Sequence, residues 1–569
     1  LPRANEHRSH FHHHGRHPID GMRTLLTALC LLLAAPVLGV LGAWLNWDAQ
    51  ALAVLQHQAQ TVLPGYVAQS TLLAISVGIG VVILGSATAA AVTLYDFRGR
   101  RFFEWALLLP LAMPAYVLAY AWTDALQFSG PLQTALREAF GWRGALWPDV
   151  RSLGGAVPLF VLCLYPYVYL LVRAALGERA VRLMEAARLL GAPMRRRVLE
   201  VALPMARPAI AAGAALALME TLADYGVGAY FGLTTFSTGI YKAWLVMNDR
   251  VAAAQLAALL LGVVAALLWA ERSAQRRLRF AGARLATAGA GAEARPLVLR
   301  GGAAVAAVAL CAAPVLLGFV LPVAWLARML WQEAMHAEFG LPLARFAQWA
   351  WASFKLAGLA ALAATALALA LGFVLRQAPA SRFGAARGGP VAVLLRPAAR
   401  VLSLGYAVPG AVIAVGILLP AGWLQARFPG AGVAAAVTGT LFGLMYAYLV
   451  RFSAVALQSV EAGYARVPAS IDDTARMLGA GAGRLFTRLH LPLLQRSALA
   501  AALLVFVDVM KELPATLVLR PFGSDTLAVV AYNFARDERL AEAALPSLAI
   551  VAVGLIPVVL LSRALRREG

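Results

Sequence analysis

Four carboxylates stand where carboxylates are expensive. Glu220 and Asp224 fall within one apolar run, and Asp508 and Glu512 fall within another, each 288 positions further along the chain. An ionisable group inside a membrane span costs at least about 2.5–3.5 kcal/mol on insertion scales, so those that are kept usually face a cavity or a pathway. Within each pair the spacing is i, i+4, which on a continuous helix places both acids on one face. Two such faces would line an interface between repeated units. Tyr225 and Lys511 stand beside them. Carboxylate and phenol oxygens suit a hard cation. Two simpler readings stay open: Lys511 neutralises Asp508 or Glu512 in a buried network past which nothing moves, or the acids sit close to an aqueous boundary.

The elements that must position these residues are membrane helices. The chain has 569 residues, 61% hydrophobic and 14% charged, where a soluble domain needs roughly 25% charged residues. Twelve apolar runs are long enough to approach the roughly 20 residues of a span. In the first half they lie near 22–44, 66–95, 102–123, 154–176, 207–231 and 250–270. In the second they lie near 303–327, 349–375, 401–423, 430–457, 495–519 and 541–563. The predicted fold is therefore an all-α membrane protein of about twelve transmembrane helices in two homologous six-helix halves.

The net charge of +21 could suggest nucleic acid, but its distribution excludes that partner. Arginines cluster in alternate loops: Arg98, Arg100 and Arg101; Arg188 and Arg195 to Arg197; Arg272, Arg276, Arg277 and Arg279; Arg563, Arg566 and Arg567. Positive-inside orientation then puts both termini of a lipid-embedded, multi-pass chain in the cytoplasm. The loop from about 45 to 65 has only Asp48 as a formal charge, which suits the opposite side. Cys30, Cys163 and Cys311 lie in apolar runs without ligand spacing and read as small core residues.

An internal repeat organises the chain. Glu185-Ala-Ala-Arg-Leu-Leu-Gly191, nine residues, then Val201-Ala-Leu-Pro204 is matched by Asp473-Thr-Ala-Arg-Met-Leu-Gly479, nine residues, then Leu489-His-Leu-Pro492. Both glycines and both prolines are again 288 positions apart. Each segment predicts a short helix, a glycine in a left-handed turn, a second amphipathic helix, and a proline that restarts the chain into the next span.

These segments resemble the EAA loops of binding-protein-dependent ABC importer permeases, whose pattern is EAA, three residues, Gly, nine residues, then I-x-L-P. The first copy departs only by Val201; the second has Asp473, Thr474 and Leu489 in place of Glu, Ala and Ile. The resemblance covers nearly the whole chain from about residue 60. It implies that the loops 185–204 and 473–492 form cytoplasmic coupling helices docked on two ATP-binding cassette subunits, with a periplasmic solute-binding protein on the other side. The coupling residues it implies are Glu185, Ala186, Ala187, Gly191, Leu203 and Pro204, with Asp473, Thr474, Ala475, Gly479, Leu491 and Pro492. Glu220, Asp224, Tyr225, Asp508, Lys511 and Glu512 are the candidate pathway residues. The segments Glu220 to Gly226, Ala229 to Gly232, Ser237 to Trp244, Asp508 to Thr516, Arg520 to Phe522, Asp525 to Leu527 and Leu109 to Tyr120 look like the ferric-iron branch of that family. Thiamine, polyamine and other solute permeases share the scaffold and remain alternatives.

Residues 1–21 hold six of the nine histidines and read as a leader set apart from the fold, disordered or not native. The permease halves are expected at 22–270 and 301–569, joined by a flexible Arg-, Ala- and Gly-rich linker at 271–300. A P-loop needs Gly-Lys followed by Ser or Thr. The only lysines are Lys242, Lys355 and Lys511, and none follows a glycine, so this chain is not an ATPase of that type; the resemblance implies that ATP and Mg belong to partner subunits and that no cofactor is on this chain. A proton- or ion-coupled carrier using the four acids is the rival of another class. It has no need to keep the cytoplasmic segment twice. An anchored enzyme lacks any nucleophile or metal motif in this sequence.

Overall fold

In the computed structural model the described residues are 18–42, 49–176, 181–285, 297–336, 340–377 and 390–567; residues 1–17 of the histidine-rich leader, residues 286–296 of the linker and Glu185's side chain lie outside what is described, while the leader's last residues open the helix Pro18–Gly42. Among the described residues eleven helices are long and apolar enough to cross a membrane, and a twelfth candidate is a pair, Arg100–Ala112 and Ala115–Phe140, bent by 90°. The all-α membrane fold thus stands. Its β-structure among the described residues is one parallel two-residue pairing of Tyr95–Asp96 with Leu297–Val298. The stretch expected as a flexible linker begins as helix, since Arg250–Leu285 is continuous.

Several expected spans are broken, two of them at a proline and one at a threonine cap. The run near 102–123 divides into Arg100–Ala106, a tight turn Leu109–Ala112 and Ala115–Leu126. Pro114 precedes the last helix in an extended conformation, and the residue before a proline disfavours helix. The run near 401–423 breaks in the same way: the helix Pro390–Leu402 ends, and Gly410–Arg427 starts after Pro409. The run near 430–457 is Val433–Thr438 followed by Leu441–Tyr464, the latter capped by the Thr440 hydroxyl, which accepts from the Phe442 amide.

The elbow prolines depart from expectation. Pro204 and Pro492 do not restart a new helix. Met194–Ala223 and Ala482–Met510 each run unbroken from the surface into the membrane. A stretch of π-helix, Arg197–Ala202 or Leu485–His490, lies immediately before each proline-bearing segment. Proline lacks an amide hydrogen and its ring crowds the carbonyl four residues back. The wider π-turn accommodates both defects without a break.

Each half lends its first span to the other. The helix Gly21–Gly42 packs on Pro390–Leu402 and Gly410–Arg427. Gly302–His336 packs on the first-half helices Leu63–Leu94, Ala115–Leu126 and Leu153–Ala175. Hydrogen bonds hold the second crossing: Trp122 Nε1 donates to the Leu317 carbonyl at 3.2 Å, and Trp325 Nε1 donates to Asp124 at 2.9 Å. The first crossing relies on close backbone approach, because a Cβ at Gly39 would lie 3.3 Å from the Gly416 carbonyl oxygen and one at Gly416 would collide with the Pro36 carbonyl. Cys30, Cys163 and Cys311 are free and buried in the packed interior. Gly416→Leu should therefore push the exchanged span away, at a cost of about 1–3 kcal/mol, and lower the thermal unfolding midpoint of the purified chain in detergent, with Gly39→Ala the milder change.

Candidate functional site

The helix Leu203–Ala223 stops in mid-protein. Asp224 comes next in extended conformation, and its Oδ1 accepts from the Val227 amide at 2.8 Å at the start of the short helix Gly226–Tyr230. At the repeat-related place Leu491–Met510 stops, and Glu512 accepts from the amides of Ala515 at 3.0 Å and Thr516 at 3.1 Å and from the Thr516 hydroxyl at 2.7 Å. Pro514 lies just beyond, where the short helix Pro514–Leu519 begins. The expected continuous acidic stripes are thus corrected: a helix break separates Glu220 from Asp224 and Asp508 from Glu512. The second acid of each pair caps the short helix beyond the break.

All four acids nevertheless line one cavity of about 130 Å³ between the halves, with Lys511, Arg451, Tyr116, Tyr167, Tyr406 and Cys163 also in its wall. Its charge is uneven. Lys511 Nζ lies 2.9 Å from Asp508, and Arg451 reaches Glu512 at 3.3 Å. Neutralisation by Lys511 therefore applies to Asp508 and not to Glu512. Among the described residues neither Glu220 nor Asp224 has a cationic partner within ion-pair distance. At the 288-residue offset the counterparts of Lys511 and Arg451 are Ala223 and Cys163, both of which line the same cavity. Counting the four carboxylates as anions and Lys511 and Arg451 as cations, the lining has formal charge −2. Arg451 escaped the sequence reading; its one available signal was a single cation in the middle of an apolar run.

Tyr225 does not line this cavity. Its ring stacks on Tyr241 at 3.8 Å, and its hydroxyl accepts from Tyr532 at 3.3 Å. Other tyrosines also join the halves: Tyr116 donates to the Lys511 carbonyl at 3.3 Å, and Tyr241 donates to the Pro514 carbonyl. Further along, Tyr120 meets Tyr230 edge-on at 5.0 Å. Arg151 lies over the Tyr230 ring and binds Glu538 through both guanidinium nitrogens at 2.6 Å. Its hydrogen bonds hold the Glu538 carboxyl below the usual range, against a smaller upward push from burial. This pair lies at the end of the Leu153–Ala175 span opposite the elbow.

The two elbows share their backbone geometry. Val181–Leu189 and Ala469–Met477 are short helices ended by Gly191 at φ +79° and Gly479 at φ +80°. Beyond each glycine, the Ala192 amide donates to the Ala187 carbonyl and the Ala480 amide to the Ala475 carbonyl, both at 3.0 Å. This is the closure expected of a left-handed helix end. Ala186 is exposed, Leu203 and Pro204 are half-buried, and Leu491 and Pro492 are exposed. Thr474 bonds the Ser470 carbonyl, and exposed Asp473 pairs with Arg476 at 3.4 Å. Leu189 and Leu190 are each 86% exposed, and Met477 and Leu478 are 89% and 83% exposed. Such paired apolar tips are the surface that a partner protein would cover. They were visible in the repeat as adjacent apolar residues before each glycine, but their exposure was not.

Among the described residues no three His, Cys, Asp or Glu side chains converge in a way that could hold a metal ion. Residues 81–280 match the family described as "Binding-protein-dependent transport system inner membrane component". Over 498 residues, covering 86% of this chain and 88% of the relative, the sequence is 26% identical to "Fe(3+)-transport system permease protein FbpB 2" of Haemophilus influenzae. It is 30% identical over 171 residues, 30% of this chain and 60% of the relative, to "Putative 2-aminoethylphosphonate transport system permease protein PhnV" of Salmonella typhimurium. A 25% identity over 181 residues, 63% of the relative, links it to the corresponding protein PhnU of Salmonella choleraesuis. Arg451→Met should leave Glu512 buried and uncompensated, costing about 3–5 kcal/mol. The double variant Arg451→Met, Glu512→Gln should recover most of that stability in chemical unfolding of the detergent-solubilised chain.

Proposed function

We propose that this chain is a multi-pass inner-membrane permease of the binding-protein-dependent ABC family, a transport subunit that moves ferric iron into the cytoplasm. A periplasmic binding protein delivers the ion. Two ATP-binding cassette subunits, carrying the ATP and Mg, grip the elbows at 185–204 and 473–492 from the cytoplasm, where both termini also lie. Closure of the ATPase pair pushes the elbows, and because each elbow's second helix runs unbroken into a span, the push reaches the cavity wall without an intervening joint.

The observation that carries the cargo assignment is the lining of the central cavity, where four carboxylates and three tyrosines outnumber two cations. Hard oxygen donors and a net negative wall favour a small, highly charged cation. Glu220 and Asp224 would attract it, while the pairs Lys511–Asp508 and Arg451–Glu512 would keep the site from holding it permanently. The near full-length similarity to a Fe(3+) permease supports the same cargo. The second reading is an aminophosphonate. It is favoured by Arg451, whose buried Nε has no hydrogen-bond partner and could receive a phosphonate oxygen, and by the partial similarity to putative 2-aminoethylphosphonate permeases.

Cells with this chain should accumulate radioactive ferric iron above cells without it, and show no such difference for thiamine or 2-aminoethylphosphonate; a difference confined to the phosphonate selects the second reading. Gly191→Val or Gly479→Val places a β-branched side chain at positive φ, at a cost of about 1–3 kcal/mol in local strain. Uptake and stimulation of the ATPase should both fall several-fold while the chain still inserts in the membrane, measured by transport assay and by membrane fractionation.

A further inference from the structure

The two elbows share a backbone but not an anchorage. Beside exposed Asp473, the side chain of Asp472 turns inward and is buried. Its Oδ2 accepts from Arg376 Nε at 2.6 Å, at the end of the Leu343–Gln377 span. Its Oδ1 lies 2.9 Å from Nε2 of His490, which is fully buried in the π-turn leading into the next span. Nδ1 of His490 lies 3.2 Å from the hydroxyl of Tyr464, the last residue of the Leu441–Tyr464 helix. Arg376 also donates to the carbonyls of Tyr464 and Pro468 at 3.2 and 3.0 Å. Phe373 meets the His490 ring edge-on at 5.3 Å. One carboxylate thus joins the short helix Ala469–Met477 directly to two spans and, through Arg376 and His490, to the end of a third.

In the first half, the residues 288 positions earlier are Leu176 for Tyr464, Met184 for Asp472 and Ala202 for His490, and all three are buried. The Leu63–Leu94 helix carries no basic residue in its last turn. Thr88 stands for Arg376, so among the described residues these four places carry no charge, and apolar contact resists sliding far less than charge-assisted hydrogen bonds of fixed geometry.

We propose that Arg376, Tyr464, Asp472 and His490 are positioning residues that lock the second elbow to its spans as a stiff lever, while the first elbow rides on a compliant apolar seat. The stroke of the ATPase pair is then transmitted unequally, mainly through residues 473–492. This rests on the reading that the elbows meet ATP-hydrolysing subunits. The latch holds at neutral pH: burial pushes the Asp472 carboxyl up, but the hydrogen bonds from Arg376 and His490 outweigh it and keep the carboxyl below its ordinary value. With Arg376, His490 and Tyr464 as the ionisable groups facing it, its contribution is present above the ordinary carboxylate value. It is lost only as pH falls through the lowered one.

The test uses the whole transporter in proteoliposomes, with the ATP-hydrolysing and binding-protein partners, and reads cargo moved per ATP hydrolysed. Asp472→Asn should lower that ratio at least about fivefold, a coupling loss of ordinary size, Asp472→Glu should restore part of it, and Met184→Ala in the first elbow should change it less than about twofold. An unchanged ratio in Asp472→Asn, or an equal loss in Met184→Ala, overturns the proposal. Hydrogen exchange on the unmodified chain gives a second arm independent of folding of the variants. Amides of 469–477 should exchange at least about tenfold more slowly than those of 181–189, the shift that one charge-assisted hydrogen bond supplies; equal or reversed rates overturn the latch. Cargo movement without any ATP-hydrolysing partner overturns the importer reading instead, and leaves the exchange rates to decide the latch by themselves.

Discussion

A backbone that leaves helical geometry inside a membrane must find its hydrogen bonds within the protein, because lipid offers none. That constraint governs the centre of this molecule. The Leu203–Ala223 and Leu491–Met510 helices both stop in mid-protein, and each time a carboxylate reaches round to the amides that begin the next short helix. The acids are first of all backbone chemistry. Because they must sit at the breaks, and the breaks face each other across the halves, a polar cavity arises as a by-product of satisfying amides.

The repeat sets this layout out twice, and the second copy carries charge at places where the first carries none. Arg451 and Lys511 face the cavity where the first half has Cys163 and Ala223, and Asp472 and His490 anchor the elbow where the first half has Met184 and Ala202. Both differences place an ion pair in one half where the other half has an uncharged side chain. A fused chain fixes which half is which, so the two copies are free to diverge into complementary roles.

Much of this was legible in the sequence. Run lengths gave the membrane class, and the repeated glycine spacing gave the elbows, because a left-handed turn can be read from a residue type. The breaks at Asp224 and Glu512 were missed, since Glu220 and Asp224 at i, i+4 look the same on a straight helix as on a broken one. Each acid bonds amides three or four residues further on, and the local signals of the break were Gly226 and Pro514, two residues beyond the acids. Pro204 and Pro492 misled for a related reason: proline signals a discontinuity, but a π-turn absorbs it at no visible cost in sequence. The repeat also drew attention to Asp473 while its neighbour Asp472 is the buried one, because burial of a surface-helix residue depends on which side of the helix the membrane lies.

The exchange of first spans bears on how the protein is made. Pro390 comes 348 positions after Gly42, so at ~5–20 residues per second the Gly21–Gly42 helix waits roughly 20–70 s in the bilayer before its seat exists. During that interval its Gly39 face has only lipid, or the insertion machinery, to lean on. Assembly of this permease is consequently a matter of timing as much as of affinity, and slowed translation between the halves would expose an orphan helix to quality-control proteases.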